Sequence, residues 1–419
     1  MNKFMVIWIG EMISTIGSGM SAFALSIYTF KQTGSVTLVA LVTLLAFAPT
    51  VLLSPIGGLL ADRWDRRVMM MLGEGLSAIG LAMVLLATSM RDTSWILFYI
   101  GIFVSSFFLS VLEPAYKASI SDLVTKEDYA KASGMIQIAG ASKFLIAPLI
   151  AGFLLKHVGL TTILLIDMGT IIVTLLTISI VRNTIKAPNK EQTFKSFQEE
   201  FIEGIRFLGK QKEIRKLVLL MTGMCFFIAF LQTLMIPMAM HITSVEKIGM
   251  LESFSAIGML IGSILISAIT VKNKYAGLKI SLAASGVCML FVGVFTNYYL
   301  LFIACLMFFT TLPFVNTLAD VLIRVRIPNE LQGRIWGLIG LISQIGYLIA
   351  YAISGVLADQ IFEPMFMGQS ILSETVGKII GTGAGRGIGF MLIVAGILMA
   401  MIALIYRQSQ GELDQMVES

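Results

Sequence analysis

The residues able to do chemistry in this chain are a few acids set in apolar surroundings. Glu11, Glu74, Glu113 and Asp167 all lie inside long hydrophobic runs. An ionisable group in hydrocarbon is costly and marks a functional site by default. Desolvation disfavours the charged form of a carboxyl, so an acid held there can exchange a proton near neutral pH. Glu11 heads a polar seam with Ser14, Ser18 and Ser21, at the three- and four-residue spacing that places them on one helix face. That face is expected to meet a water-filled cavity. Ser106, Ser110 and Glu113 form a second seam. Glu11 and Glu113 are thus the candidates for proton exchange, with a hydrogen-bonded helix contact as the alternative reading of each. Ser14, Ser18 and Ser110 are candidates for lining the cavity. Lys143 is the one basic residue deep in an apolar run. Neutralising Glu113 on the preceding run is its expected role, and contact with an acidic substrate is the second. Glu74 and Asp167 stand nearer the ends of their runs and read as caps or braces.

Other chemistries find little support. The two histidines, His157 and His241, are far apart, and Cys225, Cys288 and Cys305 stand singly in apolar runs. No metal site, no cofactor and no nucleophile–base set is expected, which argues against an integral membrane enzyme. A channel fits poorly with the few charges available to a cavity. The run Gly381-Thr-Gly383-Ala-Gly385-Arg-Gly387 has no strand before it, so it reads as a turn opening the last apolar run rather than a phosphate cradle.

The elements that must position these acids follow from composition. Of 419 residues, 57% are hydrophobic and 13% charged, with a mean hydropathy of +0.89. A soluble domain carries about 25% charged residues, so this is a polytopic membrane protein. Apolar runs predict twelve transmembrane helices, at 4–27, 37–60, 68–90, 94–114, 133–155, 160–181, 217–241, 250–271, 279–296, 298–320, 335–357 and 387–406. The first run is too long for a signal peptide and reads as a span. If the N-terminus is cytoplasmic, 23 of the 30 Lys and Arg fall on the cytoplasmic side and six outside, with Lys143 inside a span. The positive-inside rule therefore predicts both termini in the cytoplasm. The net charge of +5 reads as this asymmetry and not as nucleic-acid binding. Residues 1–182 and 217–419 are expected as two six-helix bundles, joined by a cytoplasmic linker at 183–216. Within the linker, Phe197, Phe201, Ile205 and Leu208 predict an amphipathic helix on the membrane surface.

The halves echo each other at an offset of 203 residues. Glu127 falls on Glu330, Lys131 on Arg334, Gly134 on Gly337, Ala147 on Ala350, Gly152 on Gly355, and Glu113 on Asn316. Such an internal repeat predicts two halves rocking about a midplane site.

Between the second and third runs stands the charged island Gly58-Leu-Leu-Ala-Asp62-Arg63-Trp-Asp-Arg66-Arg67. It resembles the signature loop of major facilitator superfamily transporters, with Asp65 as the departure. Ala147-Pro148-Leu-Ile-Ala-Gly152 is similar to the fifth-span motif of exporters in that family. Together with Pro114-Ala115, Asp167 and Asn316 through Gly333-Arg334, these stretches resemble the macrolide-efflux branch of drug:proton antiporters. The resemblance implies an all-α major facilitator fold of two pseudo-symmetric six-helix bundles, acting as a monomer in a bacterial cell membrane. Its implied activity is export of amphipathic drugs or small metabolites in exchange for protons, with a lipid or siderophore as the alternative cargo. It also implies a gating loop of Gly58, Asp62, Arg63, Arg66 and Arg67, in which Asp62 meets the eleventh helix and the arginines meet lipid headgroups. Asn316 becomes a cavity candidate, and Pro148 with Gly152 a close-packing, bendable segment. The fourth-span arginine common in the family is absent, and Lys143 is the expected substitute.

Overall fold

The computed structural model describes residues 2–181, 197–328, 331–368 and 371–405; the side chains of 2, 62, 63, 121, 126, 130, 197–203, 333, 334, 371, 372, 379 and 405 lie outside that description. The described residues are helical throughout, with twelve helices long and apolar enough to cross a membrane.

The first six spans are α1 (Asn2–Thr33), α2 (Val36–Arg63), α3 (Arg66–Ser89), α4 (Trp95–Leu123), the pair α5 (Tyr129–Leu145) and α6 (Ala147–His157), and α7 (Leu160–Val181). Then come the short α8 (Phe197–Lys210) and the spans α9 (Lys212–Met240), α10 (Val245–Ala268), α11 (Lys274–Val294), α12 (Tyr298–Arg324) and α13 (Gln332–Leu357). A π turn at Ala358–Phe362 leads to α14 (Glu363–Met367), α15 (Ile371–Thr375), α16 (Gly377–Ile380) and the last span, α17 (Arg386–Ile405).

Local sequence sets the boundaries. Gly34 and Gly159 adopt φ of 65° and 83°, a left-handed conformation that side chains disfavour, and so turn the chain after α1 and α6. Ser35 caps α2 by accepting from Leu38 N, and Asn273 and Asn297 cap α11 and α12. The fifth span breaks at Ile146, just ahead of Pro148, whose ring and missing N–H cannot continue a helix interior.

One expectation is corrected. The eleventh span does not end at 357, because its helical rod runs on through the π turn to Met367. The glycine run does open α17: Gly381, Gly383 and Gly385 have φ of 90°, 105° and 82°, and Glu363 accepts from Gly385 N and Ile388 N at its start. The expected linker helix exists as α8, and one side of it rests on protein. Gly204 packs on Leu338 and Ile335 and Leu208 is buried, whereas Ile205 is exposed. Phe197 and Phe201 have side chains outside the described residues.

The backbone groups into two compact units. The first comprises Met1–Phe197, Gln232–Ser253 and Tyr347–Asp359, and the second Gln198–Leu231, Phe254–Gly346 and Gln360–Ser419. In the first, Gly80 and Gly101 cross so closely that a Cβ on either would overlap the other's carbonyl region. In the second, Gly286 meets Gly396 and Gly293 meets Gly389 in the same manner, zipping α11 to α17.

Candidate functional site

Helix α1 is the axis of the first unit. Gly10 and Gly17, two turns apart, let it lie against α7; a methyl on Gly17 would stand 2.5 Å from Thr170 Oγ1 and 2.8 Å from Asp167 Oδ1. Thr174 on α7 donates to Gly10 O at 3.1 Å. On its next face α1 meets α3, where Ser14 Oγ donates to Glu74 Oε1 at 2.6 Å. The seam beginning at Glu11 therefore faces neighbouring helices as much as any cavity.

Glu74 is 0% exposed and Asp167 3%, so both belong to the interior and not to the rim. The brace between Glu74 and Ser14 occupies one carboxylate oxygen, and Glu74 Oε2 is buried without a hydrogen bond. Glu11 Oε2 is likewise buried and unbonded, as is the hydroxyl of Tyr116 on α4. Glu11 lies within electrostatic reach of Glu74, Glu113 and Tyr116, and Asp167 within reach of Glu74 and Lys143. Three acids from three helices thus share one field, and two keep an oxygen with no donor. A buried, unpaired carboxylate is strongly unfavourable, which makes the group a natural acceptor for a proton or a cation.

Lys143 and Glu113 do not pair as expected. Glu113, with a 61% exposed side chain, bonds Lys117 at 2.6 Å, because helical i,i+4 spacing puts that ammonium on the same face. Among the described residues Lys143 has no ion pair. Its stem lies on Gly19 of α1, and its charge is felt by Asp167. Ser18 and Ser110 turn their hydroxyls onto their own helices, at Thr15 O and Phe107 O. Asn316 is exposed on α12.

The charged island is ordered by Asp65, the residue that departs from the family pattern. Asp65 is the N-cap of α3, accepting from Arg67 N at 2.9 Å and gripping the Arg67 guanidinium at 2.5–3.0 Å. The Arg67 hydrogen bond holds its carboxyl below the usual carboxylate range. Arg66 ties the island to α4 through Ala118 O and Asp122 at 3.0 and 3.1 Å. The close approach to α4 is made by Gly57, facing Pro114 and Ser110 O at 3.0 Å, while a Cβ on Gly58 would meet nothing within 4 Å. The side chains of Asp62 and Arg63 lie outside the described residues.

In the exporter-type segment, the break at Ile146 frees Leu149 N, and Ser253 Oγ on α10 accepts from it at 3.0 Å. A Cβ on Gly152 would stand 3.1 Å from Val245 O and 3.3 Å from Gly249 Cα, and one on Gly249 would overlap Pro148 O. Pro148 and Gly152 thus build a backbone-to-backbone crossing of α6 on α10.

Sequence reading missed Glu252, which lies two turns into α10. It is half-buried, at the start of a helix whose later turns are widely exposed, as at Ile257, Leu260, Ile264 and Leu265. It has no hydrogen bond or ion pair among the described residues. One turn on, Ser255 is 0% exposed with its Oγ unbonded. Glu252 directly follows an apolar start to its run and stands apart from any polar seam.

The Major Facilitator Superfamily profile matches residues 7–351. The chain belongs to that superfamily. Its curated relatives include macrolide efflux protein A of Streptococcus pyogenes, 26% identical over 366 residues, covering 86% of this chain and 90% of that protein. Another is the enterobactin exporter EntS of Shigella boydii serotype 4 (strain Sb227), 25% identical over 422 residues, covering 99% and 95%. Among solved structures, the nucleoside transporter NupG superposes with a TM-score of 0.71 at 16% identity, covering 97% of this chain and 100% of that one. A bacterial homologue of the lysosomal transporter Spinster gives 0.66 at 16% identity, covering 96% and 95%. The fold is therefore the superfamily's all-helical, twelve-span architecture, and this chain is a multi-pass membrane transporter with efflux-type relatives.

Proposed function

We propose that this transporter is a secondary active exporter of amphipathic drugs or small metabolites, working by alternating access in exchange for protons. The reading takes 1–182 and 217–419 as two six-helix halves joined through 183–216. The protein acts as a monomer in a bacterial cell membrane, with both termini cytoplasmic. The observation that carries the proposal is Glu11, a carboxyl with one buried, unbonded oxygen beside Glu74 and within reach of Glu113. A proton satisfies such a group in the closed interior, and water or cargo reaching it draws the proton off. Glu113 is the exit station, exposed and bridged to Lys117. Lys143, Asn316 and the serines border the path.

At least seven residues from either end of a span, acids outnumber cations, with Glu11, Glu74, Glu113, Asp167, Glu252 and Asp359 against Lys143. That balance favours a cargo bearing a protonated amine, for which Glu252 is the proposed contact. The relative named as an enterobactin exporter supports a second reading, an anionic siderophore-like cargo held by Lys143.

The deciding experiment uses everted vesicles with an acidified interior and a pH-sensitive dye. Macrolides, other cationic drugs and a catechol siderophore are added in turn, with Glu11→Gln alongside. Proton release triggered by a cationic compound and lost in the variant establishes antiport. Release by the siderophore alone moves the cargo to the second reading. Silence across the panel overturns proton-coupled drug export.

A further inference from the structure

The offset of 203 that relates the halves in sequence extends to residues whose contacts were not legible there. On α6, Pro148, Gly152 and Lys156 stand at four-residue spacing; their equivalents are Tyr351 and Gly355 on α13 and Asp359 in the π turn that follows it. Both stripes lie within the first unit, and each runs along the beginning of another helix. Gly152 abuts Val245 O, the first residue of α10, and Lys156 pairs with Glu246, the second. Gly355 abuts Val36 O and Thr37, the first two residues of α2. Asp359 then takes the helix end itself, accepting from Val36 N at 3.0 Å, Thr37 N at 2.9 Å and the capping Ser35 Oγ at 2.6 Å. Deeper along α2, Phe47 meets Tyr351 and Tyr347, with ring centroids 5.6 and 5.2 Å apart.

The two ends solve one electrostatic problem in two ways. A helix N-terminus exposes unpaired N–H groups and carries partial positive charge. At α2 the negative charge comes from Asp359 across the crossing. At α10 it sits in the helix's own first turn, as Glu246, so the matching position across the crossing is the opposite charge, Lys156. Equivalent positions therefore carry opposite charges yet each completes a closed helix end. The control within the repeat is Gly134 and Gly337, equivalent to each other, where an added Cβ would meet nothing within 4 Å.

We infer that Asp359 and Lys156 are a matched pair of clasps that hold the α1–α2 end of the transporter shut. The charge distribution assigns this end to the outside, so the clasps are the outer gate, and both must release in the step that lets cargo leave. Asp359 carries the larger share, because three hydrogen bonds at a helix end outweigh one exposed ion pair. The inference needs alternating access, but neither a particular cargo nor proton coupling.

The test measures gate opening without transport. In a background with Cys225, Cys288 and Cys305 replaced, Phe47→Cys places a thiol about 16 Å along α2 from its first residue. A membrane-impermeant thiol reagent is applied to right-side-out and to everted vesicles. Asp359→Ala is expected to raise labelling from the outside about fivefold, the shift carried by one lost helix cap. Lys156→Ala should raise it less, the double variant most, and Asp359→Glu should stay close to the parent. Unchanged outside labelling in both single variants and the double variant overturns the proposal, as does a rise seen only in everted vesicles. Should Asp359→Ala not reach the membrane, a Ser35→Cys/Asp359→Cys pair replaces it. Its disulfide is expected to form readily and to abolish outside labelling of a third thiol at Phe47, reversibly on reduction; labelling unaffected by the crosslink overturns the clasp. Failure of the vesicle proton assay leaves this result untouched, so the two readings fail separately.

Discussion

The first unit and the second are packed by the same device but charged very differently. Both join helices through facing glycines, Gly80 with Gly101 and Gly152 with Gly249 in one, Gly286 with Gly396 and Gly293 with Gly389 in the other. The first unit, however, holds Glu11, Glu74, Asp167, Lys143 and Glu252 within its spans. Among the described residues of the second, ionisable groups in the spans keep to the outer turns of their helices, such as Lys274, Lys279, Asp320, Arg324 and Arg386. Its mid-span polar contact is neutral, Ser285 with Thr311 at 2.6 Å. Packing is thus common to both units, and the costly charges are concentrated in one. Charge that is expensive in a bilayer stays where it is used, which places the proposed coupling chemistry in the first unit.

The sharpest way to break that comparison is to move the function. Glu11→Gln is expected to abolish compound-triggered proton release in the vesicle assay, while Ser285→Ala with Thr311→Val leaves it intact. Loss in the neutral pair with retention in Glu11→Gln would reverse the assignment. Next in size are the shared glycines. Gly249→Leu and Gly293→Leu should each cost about 3 kcal/mol of stability, because the added side chain meets backbone and not a movable side chain. Thermal unfolding in detergent reads this, and a marked difference between the two would mean that packing also distinguishes the units.

Smaller still is Ser14→Ala, which strips the donor from a carboxylate already short of one. A loss of about 1–2 kcal/mol at neutral pH is expected, partly restored by adding Glu74→Gln. The smallest effect belongs to the island. Asp65→Asn should keep the cap but lower stability by up to about 1 kcal/mol, the worth of the ion pair with Arg67. Because Arg67 depresses the folded-state pKa of Asp65, its contribution is present above the unfolded value of about 3.9 and vanishes as pH falls through the lower folded value. The melting difference between parent and variant should therefore hold from neutral to mildly acidic pH and close in stronger acid.

Much of this was legible before any coordinates. Span number, helix type and the acids Glu11, Glu74, Glu113 and Asp167 follow from hydropathy, because a bilayer admits only long apolar helices and tolerates few charges within them. The start of helix α7 was read to the residue at Leu160, since Gly159 bounds it sharply. Hydropathy could not say which neighbour each polar group meets. Lys143 was matched to Glu113 by depth alone, whereas spacing along one helix handed Glu113 to Lys117. Glu252 escaped notice because it lacks a seam of polar neighbours along its run. The eleventh span was cut short at a polar residue, Asp359, that the chain carries as a clasp and continues past.

By itself the sequence determined the solvent and the number and helical type of the spans. These are sums over many residues, and no single contact can overturn them. The tertiary structure alone decided partners: Ser14 for Glu74, Arg67 for Asp65, and the start of α2 for Asp359. Such choices depend on angles around helices and on where two backbones come close enough to touch, and those distances are set jointly by every helix in the unit.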